Sequence, residues 1–457
     1  LVSIYKPCDI RGNAATELTP ELYASWGRTL GEQLPPGTSF VVGGDVRGST
    51  PLFLAALCDG LVRAGMDVTD LGQLPTPMIY FAKRHRNAIG CAIVTASHNP
   101  ATINGLKWMI GDRPPTPADV AALERGVLEP AASNRAPGAS HKVDISSDYV
   151  AWLQHDFREA SHVELRIVID PMYGCWSGKA VSYLKMIFPR SEFVAIRNEA
   201  DPTFGGRTPD CSRPHELLEL GQAVRQQDAT CGIAFDGDGD RVAFADNDGV
   251  PLSAEESTWI LLHSFGDAIR ETGFVYDQKF SDRIAEAASH LGAEPLVERS
   301  GHAFIRTRIC DTGSLFGAEI SGHYFYQSLG GGDDGLYTAC RMIAYLAGDG
   351  RSMTELRRGC PPIFISPDLR VSVSAERQSE IVARIRERWA KYPQRTIDGI
   401  RVDTPDGWML IRQSVTEAAL TFRFEGRDRA SLDRLVYSLC DAIPEIGVAL
   451  RTKYEST

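Results

Sequence analysis

The chain has 457 residues, with 48 basic against 59 acidic side chains and a formal charge of −11. That length exceeds what a single hydrophobic core serves and suggests three or four domains. The acidic balance without a long basic run argues against a nucleic-acid or anionic-membrane partner, and no apolar run nears the roughly 20 residues of a membrane span.

From the N-terminus, LVSIYKPCDIRG lacks a starting Met and has neither the basic flank nor the apolar core of a signal peptide. "ELTPELYASWGRTLGEQL" predicts a helix capped by Thr19, with Pro20 at its first position and Leu22, Trp26 and Leu30 on one face. "FVVGGD" predicts a buried strand, "PLFLAALCDGLVRAG" a helix and "CAIVTA" a second buried strand. Continuous apolar strands alternating with helices are the mark of a parallel sheet covered by helices. "VLEPAASNRAPGASHKVD" reads as a connection. "VELRIVID" restarts the alternation, and "TCGIAFDGDGDRVAFADNDGVPLS" continues it, with "DNDG" as a turn after the strand "RVAFA".

Ser253 with Glu256 predicts a capping box opening the helix "AEESTWILLHSF". A third alternating block runs from "GFVYD" to "RMIAYLAG". The last stretch differs. "LRVSVS", a charged helix "RQSEIVARIRERWAKY", paired strands "GWMLIRQS" and "ALTFRFEG" and a helix from Ser431 read as a smaller α+β domain. The ten cysteines are scattered with no CxxC pair, which disfavours a zinc site and suggests reduced, mostly buried thiols in a cytoplasm.

Four polar islands carry chemistry. Thr95-Ala-Ser-His-Asn-Pro100 follows a buried strand, and a hydroxyl exposed there can be a nucleophile or a phosphoryl carrier as well as a turn cap. There is no GxSxG elbow, so a hydrolase triad is disfavoured. Asp236-Gly-Asp-Gly-Asp240 also follows a buried strand. Three carboxylates separated by glycines can curl toward one point and suit magnesium. An EF-hand is excluded, because Arg241 stands where its glycine belongs and Asn247 where its glutamate belongs. In "GAEISGHYFY", Glu319, Ser321 and His323 are spaced two apart. In an extended segment they would share one side and suit sugar hydroxyls, with His323 able to move a proton. Arg412, Ser414 and Thr416 alternate in the last domain, as a phosphate clamp of one guanidinium and two hydroxyls would require.

In order along nearly the whole chain, "DIRG", "TASHNP" with "NGLK", "DGDGDR", "GAEISGH" with "GDDG", and "RQSVTE" resemble the α-D-phosphohexomutases, specifically the phosphomannomutase/phosphoglucomutase group. The resemblance implies an α/β fold of three similar α/β domains, with mixed sheets covered by helices, and a smaller C-terminal α+β domain, all around a central cleft. The expected units are a phosphoserine domain (1–146), a metal-binding domain (147–250), a sugar-binding domain (251–364) and a C-terminal phosphate-binding domain (365–457).

It further implies that Ser97 carries a phosphoryl group and that Asp236, Asp238 and Asp240 bind Mg2+ beside it. Arg11 would lie near the phosphoserine, with His98, Lys107 and His323 as acid/base candidates. Arg241, Lys279 and His302 would contact the sugar or its phosphate, Glu319 and Ser321 the sugar hydroxyls, and Arg412, Ser414 and Thr416 the distal phosphate.

The implied reaction is a reversible transfer between the 1- and 6-positions of a hexose phosphate, with glucose 1,6-bisphosphate as activator, in a cytoplasmic monomer or homodimer. Rival readings are a phosphoglucosamine mutase, a magnesium phosphatase or phosphotransferase using Asp236, and a non-catalytic sugar-phosphate-binding protein. Three stretches depart from the family pattern: Ala418 where proline is common, "DPMYGCWSG" where an asparagine-glycine pair is common, and "FGGRTPDCSRP" where a histidine-containing stretch is common.

Overall fold

The computed structural model describes residues 3–129, 135–413 and 418–456, which form four sheets in chain order. Side by side, the first sheet places Ile10–Asn13, Ile103–Ile110, Gly90–Val94, Ser39–Gly44, Asp67–Gln73 and Ala139–Lys142. Ile103–Ile110 runs against both of its neighbours, and the remaining pairs are parallel. The second sheet has the order Val242–Ala245, Cys231–Phe235, Arg166–Asp170, Glu192–Ala195. The third has Glu294–Glu298, Gly273–Asp277, Phe316–Ala318, Tyr324–Tyr326. Each is parallel except for one antiparallel hairpin strand at an edge. The fourth sheet is antiparallel throughout and carries the helices Ala375–Arg388, Arg429–Ala442 and Pro444–Glu455. This is the mixed α/β and α+β architecture expected.

Local chemistry explains several element boundaries. Thr19 Oγ1 accepts from Leu22 N at 3.3 Å, and Trp26 and Leu30 are buried beneath that helix. Ser253 and Glu256 make both bonds of a capping box, at 3.1 and 2.8 Å. Two expectations shift. The penultimate helix begins at Arg429 because Asp428 caps it, accepting from Ser431 N at 2.7 Å. Within the stretch read as a connection, Ala139–Lys142 adds a parallel strand beside Asp67–Gln73. All four of its residues are exposed, so an edge strand of this kind carries no apolar alternation to read.

The cores explain how the units join. One apolar cluster runs from Met78 and Phe81 through Tyr149, Trp176 and Phe235 to Phe316 and Leu336, tying the first three sheets into one body. The fourth sheet has a separate core around Trp389, Phe422 and Leu439. Polar contacts link it to the third unit. Lys279 Nζ lies 2.6 Å from Asp368, Arg423 Nη2 3.0 Å from Glu255, and Arg401 Nη2 2.6 Å from Asp282.

Asp334 caps the helix Gly335–Asp349 through Tyr337 N (2.9 Å) and accepts from Tyr149 Oη (2.8 Å). Burial outweighs these donors and pushes its carboxyl up to about 6. A folded-state value raised above that of the unfolded chain means that the native state binds the proton more tightly. Its contribution is therefore favourable at low pH and lost as pH rises through about 4 to 6. Asp334→Asn keeps the cap without the charge. It should raise the melting temperature at pH 8, by up to about 3 kcal/mol of stability, and the gain should shrink toward zero at pH 4. Parallel thermal melts of both proteins across that range check this, and a gain independent of pH would contradict it.

Candidate active site

Ser97 follows the strand Gly90–Val94 and is 1% exposed, beneath the cleft wall made by His98, Asn99 and Pro100. Its φ of 54° is left-handed, a conformation that costs a non-glycine residue about 1–3 kcal/mol and must be held by its surroundings. Arg47 supplies much of that hold. It is fully buried and pairs with Asp45 at 2.8 Å. Its two terminal nitrogens donate to the carbonyls of Ser97 (2.7 Å), Asn99 (2.7 Å), Pro100 (2.6 Å) and Ile103 (2.8 Å). Ser97 N donates to Thr95 Oγ1 at 2.8 Å. The Ser97 hydroxyl donates to Asp236 Oδ2 at 3.1 Å and lies 3.4 Å from His98 Nδ1.

The aspartate loop curls as its glycines suggest. Gly239 has φ 79°, and any Cβ there would meet the Trp176 indole at 2.3 Å. Asp236, Asp238 and Asp240 are all buried and present oxygens within 4.8 Å of one another. Lys107, from the first unit, donates to Asp238 Oδ2 (2.9 Å) and Asp240 Oδ2 (2.6 Å), and Thr76 also donates to Asp238 Oδ2 (2.8 Å). Burial alone would lower the lysine's pKa. Asp238 and Asp240 overcome that and hold it well above the usual lysine value, so Lys107 is a bound ammonium and a poor base.

The other oxygens, Asp238 Oδ1 and Asp240 Oδ1, are buried without a hydrogen-bond donor. Carboxylates oriented from behind and bare in front are the donor set of a hard divalent cation, so the residues present fit Mg2+. The same loop could not serve as an isolated acidic turn without leaving those oxygens unsatisfied.

Above this floor lies a cavity of about 730 Å3 to which all four units contribute. Among the described residues its lining includes Lys6, Arg11, Arg213, Arg241, Arg299, Arg370 and Arg412 against Asp9, Glu17 and Glu319. An acidic protein thus concentrates positive charge where an anion would enter. Arg11 is paired with Asp9 at 2.8 Å. Arg241 Nε donates to His323 Nε2 at 2.9 Å, and its side chain sits 3.7 Å from Asp236. His302 begins the helix His302–Thr312 at the cavity wall, with its ring 6.0 Å from that of His323. Burial, then the nearby Lys107 charge, push His302 down to about 4, so it is neutral. Burial, followed by Arg241 and Arg11, likewise keeps His98 neutral.

Two expectations change here. The stretch Glu319–His323 is a tight hairpin turn rather than an extended segment. Gly322, at φ 92°, lets its N–H reach Glu319 O (3.0 Å) while Glu319 N donates to His323 O (2.9 Å). Glu319 and His323 therefore face the cavity from the two sides of the turn, and Ser321 falls outside the lining, with its hydroxyl buried and unbonded. Lys279 also falls outside the lining, held by Asp368. Arg412 lines the cavity but is paired with Asp398 (Nε 2.8 Å), while Ser414 and Thr416 lie outside the described residues. Arg47, Thr76, Arg213, Arg299 and Arg370 were not singled out by the sequence. Their places depend on loops from separate strands converging, and "GGDVRGS" after a buried strand was the one local signal.

Sequence models of all four phosphoglucomutase/phosphomannomutase domains match in order: alpha/beta/alpha domain I at residues 4–131, domain II at 147–249, domain III at 246–364 and the C-terminal domain at 369–442. The fold and cleft are those of a phosphohexomutase, an enzyme of the isomerase class. Phosphomannomutase/phosphoglucomutase of Pseudomonas aeruginosa is 30% identical over 95% of this chain and 94% of its own length. The Pseudomonas putida protein of that name is 32% identical over 95% and 94%. A crystal structure of a phosphoglucomutase/phosphomannomutase family protein from Burkholderia thailandensis superposes with a TM-score of 0.88 at 29% identity, covering 97% of this chain and 98% of that one. The chain belongs to the phosphoglucomutase/phosphomannomutase family.

Arg47→Met strands Asp45 in the core and should cost about 3–5 kcal/mol, read as a lower melting temperature. Arg47→Lys restores the charge, but one ammonium cannot reach all four carbonyls. It should recover much of the stability while leaving mutase turnover about tenfold or more below wild type. Full turnover in the lysine variant would show that the loop does not need the guanidinium fork.

Proposed function

We propose that the chain interconverts the 1- and 6-phosphates of mannose and glucose in the cytoplasm, through a phosphoryl group carried on Ser97 and a hexose 1,6-bisphosphate intermediate. The observation that carries this reading is the strained, buried Ser97 hydroxyl aimed at Asp236 beside two donorless carboxylate oxygens. Asp236 is a poorer phosphoryl acceptor. Its Oδ1 already accepts from Gly239 N (3.0 Å) and Arg241 N (3.2 Å), and Oδ2 faces the serine.

Each unit has a part in the reaction. The division of the chain at residues 146, 250 and 364 assigns Ser97 to the first, the carboxylates to the second, the sugar-reading turn to the third and the distal clamp to the fourth. Asp236, Asp238 and Asp240, with the Ser97 oxygen, would hold Mg2+, which when bound offsets the charge of the moving phosphoryl group. Arg11 and Arg241 supply further positive charge at the floor, and His98 packs beside the Ser97 oxygen. Glu319 reads hydroxyls common to both sugars, and His302 lines the same wall. Substrate phosphate draws Arg412 away from Asp398, with Ser414 and Thr416 as the further groups of the clamp. His323 takes the proton from the attacking hydroxyl as that oxygen bonds phosphorus and the Ser97–phosphorus bond breaks. The bisphosphate turns over and the steps reverse, which requires one group to act as both acid and base. A carrier lost to water is restored by glucose 1,6-bisphosphate.

Two measurements test this. Peptide-mapped mass spectrometry should find a phosphoryl group on Ser97, and Ser97→Ala should lose nearly all turnover. Phosphate mapped to Asp236 would overturn the assignment. For the sugars, Glu319→Ala should lower kcat/KM for glucose 1-phosphate and mannose 1-phosphate by similar factors, because the lost contacts are common to both. A wild-type preference for one epimer above about a hundred-fold, roughly 2.7 kcal/mol, would rule out dual specificity.

A further inference from the structure

The motif "GGGDDG" places two aspartates side by side, and the Asp334 side chain caps the helix Gly335–Asp349. Asp333 points elsewhere. Its Oδ2 lies 2.6 Å from Nδ1 of His323 as an ion-pair contact that is not aligned as a hydrogen bond, Asp240 Oδ1 lies 3.7 Å from the same nitrogen, and all three side chains are buried. The backbone holds it there. Asp333 bridges Phe325, two residues beyond His323, and Tyr326 N donates to Gly332 O at 3.0 Å.

The other ring nitrogen of His323 is fixed independently. Nε2 receives the Nε–H of Arg241 at 2.9 Å, and a guanidinium has no acceptor to offer. An imidazole that accepts at Nε2 and faces a carboxylate at Nδ1 carries its proton on Nδ1.

We infer that Asp333 is a positioning residue that locks His323 as the Nδ1–H tautomer, so that the basic lone pair on Nε2 points into the cleft where Arg241 now sits. The inference rests on the mutase reading for the role of His323 and identifies which nitrogen does the work. Substrate entry draws Arg241 to the transferring phosphoryl oxygens, and the sugar hydroxyl takes its place at Nε2. The proton then moves from hydroxyl to Nε2 as the oxygen–phosphorus bond forms. The imidazolium so made has N–H on both nitrogens, with Asp333 balancing its charge, and the same proton returns from Nε2 to the departing sugar oxygen in the reverse step. A carboxylate behind a histidine base serves as orienter in the same sense in other acid–base sites.

The test uses the full chain with 15N-labelled histidine, and a two-bond proton–nitrogen correlation spectrum in which His323→Gln identifies the His323 signals. Wild type should show the Nδ1–H tautomer. In an Arg241→Met background, where Asp333 alone sets the tautomer, Asp333→Ala should lose it for Nε2–H or a mixture, and in the otherwise native chain it should lower kcat for glucose 1-phosphate about a hundred-fold with KM within about threefold. Asp333→Asn, close in shape, keeps an acceptor for Nδ1–H. It should hold the tautomer and lose only the charge, with kcat down about tenfold. An Nε2–H tautomer in wild type overturns the inference. So does an unchanged tautomer when Asp333→Ala is added to folded Arg241→Met, or an unchanged kcat in either folded single variant. If the mutase reading itself is wrong, wild type will lack turnover on hexose phosphates while the tautomer remains readable, so the two failures are distinguishable.

Discussion

Lys107 reaches out of the first sheet and places its ammonium between Asp238 and Asp240 of the second unit, at 2.9 and 2.6 Å. Neither partner is tolerable alone in that interior. A charge stripped of its counterion there costs about 3–5 kcal/mol, so the two units cannot part without exposing or stranding it. The nearby contacts inherit this constraint. Thr76 N donates to Asp238 O at 2.9 Å across the same seam, and the Ser97 hydroxyl meets Asp236 on the far side of the loop. The distance between serine and carboxylates is thus set by a buried ion cluster rather than by loop preference, which is what a preorganised transfer site requires.

The fourth unit is attached on different terms. The apolar core that fuses the first three sheets stops short of it, and Lys279, Arg401 and Arg423 bridge the gap with ion pairs. Junctions of this polar kind resemble transient interfaces, and relative motion is the default expectation for them. The fused units hold Ser97 and the aspartate loop, while the unit that bears Arg412 faces the same cavity from across the cleft. The end-for-end turn in the proposed reaction is served by such a division.

The sequence exposed those parts of the site where local rules are broken. Carboxylates at the end of the apolar "CGIAF" and a hydroxyl at the end of "CAIV" are out of place unless something requires them. It could not expose Arg47, whose carbonyl partners at Ser97, Asn99, Pro100 and Ile103 lie some fifty residues on, and although "GDDG" stood out, spacing alone did not pair Asp333 with His323. The reading of Glu319, Ser321 and His323 as one extended row failed because the strands flanking them have three residues each, too few to impose a period, and Gly322 reverses the chain between them. The Ala139–Lys142 strand escaped for the opposite reason: at an exposed sheet edge, backbone pairing needs no apolar side chain.

The central claim is that Lys107 and the aspartate loop act as one charge-compensated unit holding the first two units together. A double-mutant cycle in chelator-treated protein measures this most directly, using the melting temperatures of wild type, Lys107→Met, Asp240→Asn and the double variant. The expected result is that each single change destabilises strongly and that the double variant is more stable than Lys107→Met alone, because the second change removes a carboxylate the first left uncompensated. Additive losses in the double variant would contradict the claim.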